Sequence, residues 1–155
     1  RHAPVPLDYF QVLADSLARC VVAGKTVISF IPYCRNPDVF AEVADRLMRL
    51  EDMRTAVCYG ICENMIYLSA RTSDARGNAA GRMQRVVRGL GTGGGHRTMA
   101  GGQIPVEGDL GRRLAIVRDR VIKVFAVNAT PLHLSTLHGE PHAGSKTAPR
   151  QKAPR

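Results

Sequence analysis

The chain has 155 residues, 45% of them hydrophobic, with a formal net charge of +9, a composition that suits one ordinary domain with a single buried core. No apolar run approaches the ~18 residues of a membrane span and no signal peptide opens the chain, so the sequence reads as cytoplasmic, without a membrane partner. The positive excess favours an anionic partner: nucleotide, nucleic acid or phosphorylated metabolite. Part of that excess, Lys146, Arg150, Lys152 and Arg155 against Glu140, lies in the C-terminal stretch, and the body remains basic without it.

The opening Arg1-His2-Ala3-Pro4 lacks a methionine and reads as the later part of something longer, with residues 1–6 as a linker. Leu7, Phe10, Leu13, Ala14, Leu17 and Val21 recur at helical spacing and predict an amphipathic helix ended by Gly24. Lys25 to Tyr33 is a short apolar run suited to a buried strand. Asn36 as N-cap and Pro37 at the first helical position then start a helix with Val39, Phe40, Val43, Leu47 and Leu50 on one stripe. Asp38, Glu42 and Asp45 share the opposite stripe, which reads as a solvated face rather than a metal site. Arg54 to Cys62 and Met65 to Thr72, joined by Glu63-Asn64, predict an antiparallel hairpin. Asn78 to Leu90 predicts a helix with Arg82, Arg85 and Arg88 along its polar side. Gln103 to Val106 reads as a short strand whose Pro105 implies an edge or a strand end. A last helix is expected from Leu110 to Phe125. Residues 131–155 lose all periodicity and read as a disordered basic tail, leaving 7–130 as the domain. Cys20, Cys34, Cys58 and Cys62 stand in apolar surroundings, without the spacing of common zinc or redox motifs, and read as reduced core thiols.

Between the Asn78–Leu90 helix and the Gln103 strand lies Gly91-Thr92-Gly93-Gly94-Gly95-His96-Arg97-Thr98-Met99-Ala100-Gly101-Gly102. Each glycine ordered in regular structure costs about 0.5–1 kcal/mol relative to alanine, and the usual gain that offsets it is close approach of backbone N–H groups to an anion. The run is neither a dinucleotide turn, which needs a strand before and a helix after, nor a Walker loop, which ends Gly-Lys-Ser/Thr. His138 and His142 have zinc-like spacing, but Gly139 and Pro141 oppose the helix that would use it. No Ser-His-Asp, Cys-His or two-metal arrangement is apparent. The chain reads as a binder, with Arg71, His96 and Arg97 as its main polar candidates and Arg82, Arg85 and Arg88 as an outer, solvated ring.

Gly93-Gly94-Gly95-His96 with Ala100-Gly101, and the strand end Ser69-Ala70-Arg71-Thr72, resemble the C-terminal, DHH-associated domain of DHH-family phosphoesterases, the RecJ-like group. The resemblance covers about Leu7 to Phe125 and includes a turn at Leu50-Glu51-Asp52-Met53; Met99 stands where the family has a first alanine and Thr92 where it often has glycine. It implies that Arg71 and His96 hold the phosphate or base of a short oligonucleotide or small nucleotide, that the amides of Gly93, Gly94 and Gly95 complete the cradle, and that Thr72 and Arg97 add polar contacts. Catalysis would belong to an N-terminal DHH domain carrying Asp and His ligands for Mn2+, with no cofactor in this chain, and a homodimer stays open. The alternative is a nucleic-acid-binding module of the kind at the C-terminus of alanyl-tRNA synthetase. For fold the expectation is α/β: a small mixed β-sheet flanked by about four helices, forming a single substrate-binding domain.

Overall fold

A computed structural model of the chain describes residues 3–133. In chain order these form α1 (Leu7–Ala18), β1 (Val21–Ala23), β2 (Thr26–Ile31), α2 (Asp38–Leu47), β3 (Thr55–Cys62), β4 (Met65–Thr72), α3 (Ala79–Val87), β5 (Thr92–Gly95), β6 (Met99–Pro105), α4 (Leu110–Phe125) and β7 (Leu132–His133). The strands make one sheet in the order β5-β6-β4-β3-β2-β1-β7. Only β2 and β3 pair in parallel, because α2 and its connections carry the chain back over one face between them. Every other neighbour is antiparallel. The α/β architecture of a mixed sheet and four helices is therefore the one expected.

Alternation along the strands divides the core in two. Val27, Ile31, Ala56, Cys58 and Cys62 face α1 and α2, where they meet Val39, Phe40, Val43 and Leu47. Ile28, Val57, Ile66, Leu68 and Ala70 face the other way, onto Met83, Val86, Val87, Val117 and Val121 of α3 and α4. Each such Val, Ile, Leu, Met or Phe side chain contributes about 1.5–3 kcal/mol by leaving water. Buried polar groups find partners: Ser29 donates to the Ser16 carbonyl at 2.7 Å and Thr26 to that of Phe125 at 3.0 Å.

Three local expectations are corrected. The first helix stops at Ala18, and Val21–Ala23 forms a strand instead: the β-branched pair Val21-Val22 fits a pleat, and Gly24, at φ 60°, opens a two-residue hairpin in which Ala23 opposes Thr26. The strand expected at Gln103 starts at Met99, and the glycine run before it is itself strand, not loop. Leu132 and His133, expected in the tail, pair with Val22 and Val21; residues 134–155, with His138 and His142, lie outside the described residues. The Glu63-Asn64 turn and α4 stand as expected: Glu63 takes φ 55° and α4 runs Leu110–Phe125; the Asn78 side chain caps α3 by accepting from Gly81 N–H. All four cysteines are free and buried.

Candidate functional site

Strand β6 alternates exposed and buried from Met99 to Pro105. Its buried side, Ala100, Gly102 and Ile104, lies under α3. On the other side the helical cover, α1 and α2, packs over β2, β3 and β4, and Met99, Gly101 and Gln103 are exposed. Register places three rows on that open face: Thr92, Gln103 and Tyr67; Gly94, Gly101 and Ser69; Met99 and Arg71. The result is a groove of about 400 Å³ whose lining includes Tyr67, Thr92, Gly94, Gly101 and Gln103.

The glycines here separate by what a Cβ would meet. At Gly93 it would sit 3.0 Å from Met83 Cγ and 3.1 Å from Val87 Cγ2, and at Gly102 it would sit 2.9 Å from both Met83 Sδ and Val87 Cγ1. Those two glycines let α3 lie close on the sheet. Gly95, at φ 145°, turns the chain, and a Cβ there would strike the Met99 backbone. Gly94 is different, since a Cβ would have nothing within 4 Å, and at Gly101 the nearest atom is the Leu68 carbonyl oxygen at an ordinary 3.6 Å. The fold does not require glycine at either of these positions, and both lie on the open face. Because Gly93, Gly94 and Gly95 pair with β6, their amides lie in the plane of the sheet, alternately toward and away from the partner strand. They make a bare floor rather than a cup of converging donors.

Arg71 borders this floor. Its side chain is only 13% exposed, and Nε donates to Asp45 Oδ1 of α2 at 2.7 Å while Nη1 donates to the Ala70 carbonyl at 3.0 Å. Asp45, expected to be merely solvated, is thus what holds the guanidinium. Of its five N–H donors, those not bound to Asp45 or Ala70 remain for a ligand. Thr72 is not brought to the same place: it lies on the opposite face of β4, 6% exposed, its hydroxyl accepting from Thr55 at 3.2 Å and from Asp74 N–H at 3.2 Å. Its role is to fix the strand end behind Arg71.

His96 and Arg97 form the exposed turn between β5 and β6, closed by His96 N–H donating to Met99 O at 2.6 Å. The turn's carbonyls face α3, with Ala80 N–H donating to His96 O at 3.0 Å and Ala79 N–H to Arg97 O at 2.9 Å. The first free amides of α3 are therefore satisfied by the hairpin and are not an anion site. Asp45, Gly101, Tyr67 and Gln103 were absent from the sequence-based candidates. The pairing of Gly94 with Gly101 was the signal for a floor, readable only once both segments are taken as strand.

Elsewhere, a larger groove of about 1000 Å³ runs between the segment before α1 and the start of α2, with Val5, Leu7 and Phe10 exposed along it. Among the described residues no three His, Cys, Asp or Glu side chains gather to hold a metal ion, and no helix is long and apolar enough to cross a membrane. The described residues thus offer no fit for manganese.

The DHHA1 domain family matches residues 23–123. An uncharacterized protein of Methanocaldococcus jannaschii is 31% identical over 103 residues, 66% of this chain but 21% of its own length. Among solved structures, an exopolyphosphatase-related protein from Bacteroides fragilis superposes with a TM-score of 0.55 at 12% identity, over 77% of this chain and 36% of that one. The C-Ala domain of Aquifex aeolicus alanyl-tRNA synthetase gives 0.50 at 16% identity, over 65% of this chain and 96% of that one. The chain thus spans about a fifth of the curated relative and about a third of the Bacteroides protein.

Proposed function

Because the chain belongs to the DHHA1 domain family, we propose that it is the substrate-holding domain of a DHH-family phosphoesterase, gripping short oligonucleotides or small nucleotides on the open face of β5 and β6. The observation that carries this reading is the pair Gly94 and Gly101, side-chain-free where the fold leaves room for a Cβ. A flat base or a phosphate can lie against that backbone. Arg71, oriented by Asp45, supplies charge-assisted donors at one end, and Tyr67, Thr92 and Gln103 supply an aromatic edge and neutral polar groups at the other. His96 and Arg97 close the hairpin end of the floor. Such donors contribute roughly 1.5–3 kcal/mol each, against an association cost of about 4–15 kcal/mol, so this domain alone binds weakly. The cutting groups, Asp and His ligands with manganese, belong in this reading to an N-terminal DHH domain that covers the open face.

The test is a pair of substitutions at each kind of glycine. Gly94→Ala and Gly101→Ala should weaken binding of a mononucleotide or dinucleotide at least tenfold by calorimetry while leaving the thermal midpoint unchanged or slightly raised. Gly93→Ala and Gly102→Ala should destabilise the fold by about 1–3 kcal/mol through overpacking against α3, read as a lower midpoint. Unchanged affinity in Gly94→Ala and Gly101→Ala would sink the groove as the site. Affinity that depends on polymer length and ignores both substitutions would instead favour a nucleic-acid-binding module without a catalytic partner.

A further inference from the structure

The two helical layers carry opposite charge. In α1 and α2 the charged residues are Asp8, Asp15, Asp38, Glu42 and Asp45 against Arg46 alone; in α3 and α4 they are Arg82, Arg85, Arg112, Arg113, Arg118, Arg120 and Lys123 against Asp119 alone. The separation is one of helices: α1 and α2 on one side of the sheet are mainly acidic, with Arg35 and Arg71 pairing there with Asp8 and Asp45, and α3 and α4 on the other side are mainly basic.

Two of the basic residues have structural work. Arg120 Nη1 donates to the Val86 and Arg88 carbonyls at 3.0 and 2.6 Å, and Arg113 Nη2 to that of Leu90 at 3.2 Å. These close the C-terminal end of α3, and Arg113 also lies 3.9 Å from Glu107. The rest do not: among the described residues Arg82, Arg85, Arg88, Arg112, Arg118 and Lys123 form no ion pair, and all but the half-buried Arg82 are exposed. The layer is also poor in apolar surface, with Leu110 and Ile116, 37% and 39% exposed, as its exposed large hydrophobic residues on either helix. Among the helices, α1 exposes more apolar surface, at Leu7, Phe10 and Leu17.

From this we propose that the outer face of α3 and α4 is a second binding surface, for the phosphate backbone of a nucleic acid longer than the groove can hold. Charge complementarity selects a polyanion. The predominance of arginine, whose planar fork engages phosphate oxygens in pairs, selects phosphates. The scarcity of apolar groups disfavours a protein interface, whose core is apolar and aromatic, and disfavours insertion into lipid. The groove is on the opposite face of the sheet, so this surface goes beyond the nucleotide-holding reading and fails or stands separately from it.

The experiment compares a dinucleotide with a single-stranded RNA of about 20 nucleotides, by fluorescence anisotropy over a range of salt, using the whole chain and its triple variant Arg85→Glu/Arg112→Glu/Lys123→Glu. The neutral triple to Gln serves as a second variant, and thermal unfolding confirms that both fold. The whole chain should bind the longer RNA at least tenfold more tightly. The charge-reversed triple should lose that advantage, with a salt slope shallower by roughly 0.7 for each phosphate contact removed, while dinucleotide binding stays within twofold. The neutral triple should fall between. Gly94→Ala should do the reverse, weakening the dinucleotide and sparing the salt slope. Equal affinity for both lengths, an unchanged slope in the triple variants, or binding to vesicles rich in anionic lipid or to polyglutamate as tight as to the RNA would each overturn the assignment.

Discussion

Arg71 and Asp45 show how a site residue is made from two elements far apart in sequence. The pair is 2.7 Å long, yet Asp45 remains 60% exposed, so its worth to stability is small, within about 1 kcal/mol. Its worth to orientation is larger, because Nε is taken and the rest of the fork is aimed. Asp45→Asn retains an oxygen for that bond but removes the competing negative charge. The expected outcome is a several-fold rise in affinity for a nucleotide at low salt, with a thermal midpoint changed by no more than a degree or two; weaker binding in that variant would show that the carboxylate's charge, not its position, matters. Arg71 itself was visible in the sequence because it ends a strand beside hydroxyl groups. Asp45 was not, since an acid on the polar stripe of an amphipathic helix has the same local pattern whether it meets water or a guanidinium on the strand beneath it. Thr72 erred in the other sense: one residue from Arg71 in the chain, it is on the opposite face because strand side chains alternate.

At the scale of elements, the helices and the β3–β4 hairpin were legible because period and turn chemistry agree in them. Asn78 is an example: it sits at φ 45° and its side chain accepts from Gly81 N–H at 3.1 Å. Asn78→Ala removes the cap and puts in left-handed backbone a residue that tolerates it less well than asparagine, so α3 should lose about 1–2 kcal/mol, read as a lower urea midpoint; Asn78→Gly should lose less. The glycine hairpin was not legible as strand. Glycine has almost no strand preference of its own, and β5 and β6 hold their form through β4 on one side and α3 above, contacts that no window of the sequence contains. The short β1 was hidden for a related reason, since Val21 also satisfies the helical spacing of α1.

For the molecule as a whole, strand order was unreadable because the parallel β2–β3 pair depends on a crossover, and the separation of charge became visible only when the helices were assigned to layers. Burial of the thiols is also a global property, shared between the link from α1 to β1, the segment after β2, and β3. Burial pushes Cys34 up to about 12 and raises Cys20 and Cys58 as well. Unfolded thiols ionise near pH 8.5, so above that pH the unfolded chain releases protons that the folded chain keeps. Their contribution is intact below about pH 8.5 and is lost as pH rises toward 12. Urea midpoints should therefore fall between pH 9 and 11 in roughly that window, more gently in Cys34→Ala, and thiol reagents at neutral pH should label the folded chain slowly. A midpoint that stays flat through this range would contradict the assignment.

The hairpin turn that caps α3 joins the two faces of the sheet. His96 and Arg97 close one end of the floor, yet their carbonyl oxygens hold the first amides of a helix on the far side. A ligand that stiffens or shifts the turn must therefore also tighten or fray the start of α3. On the proposed reading, the Ala79 and Ala80 amides would act as built-in reporters of occupancy in a groove from which the whole thickness of the sheet separates their helix.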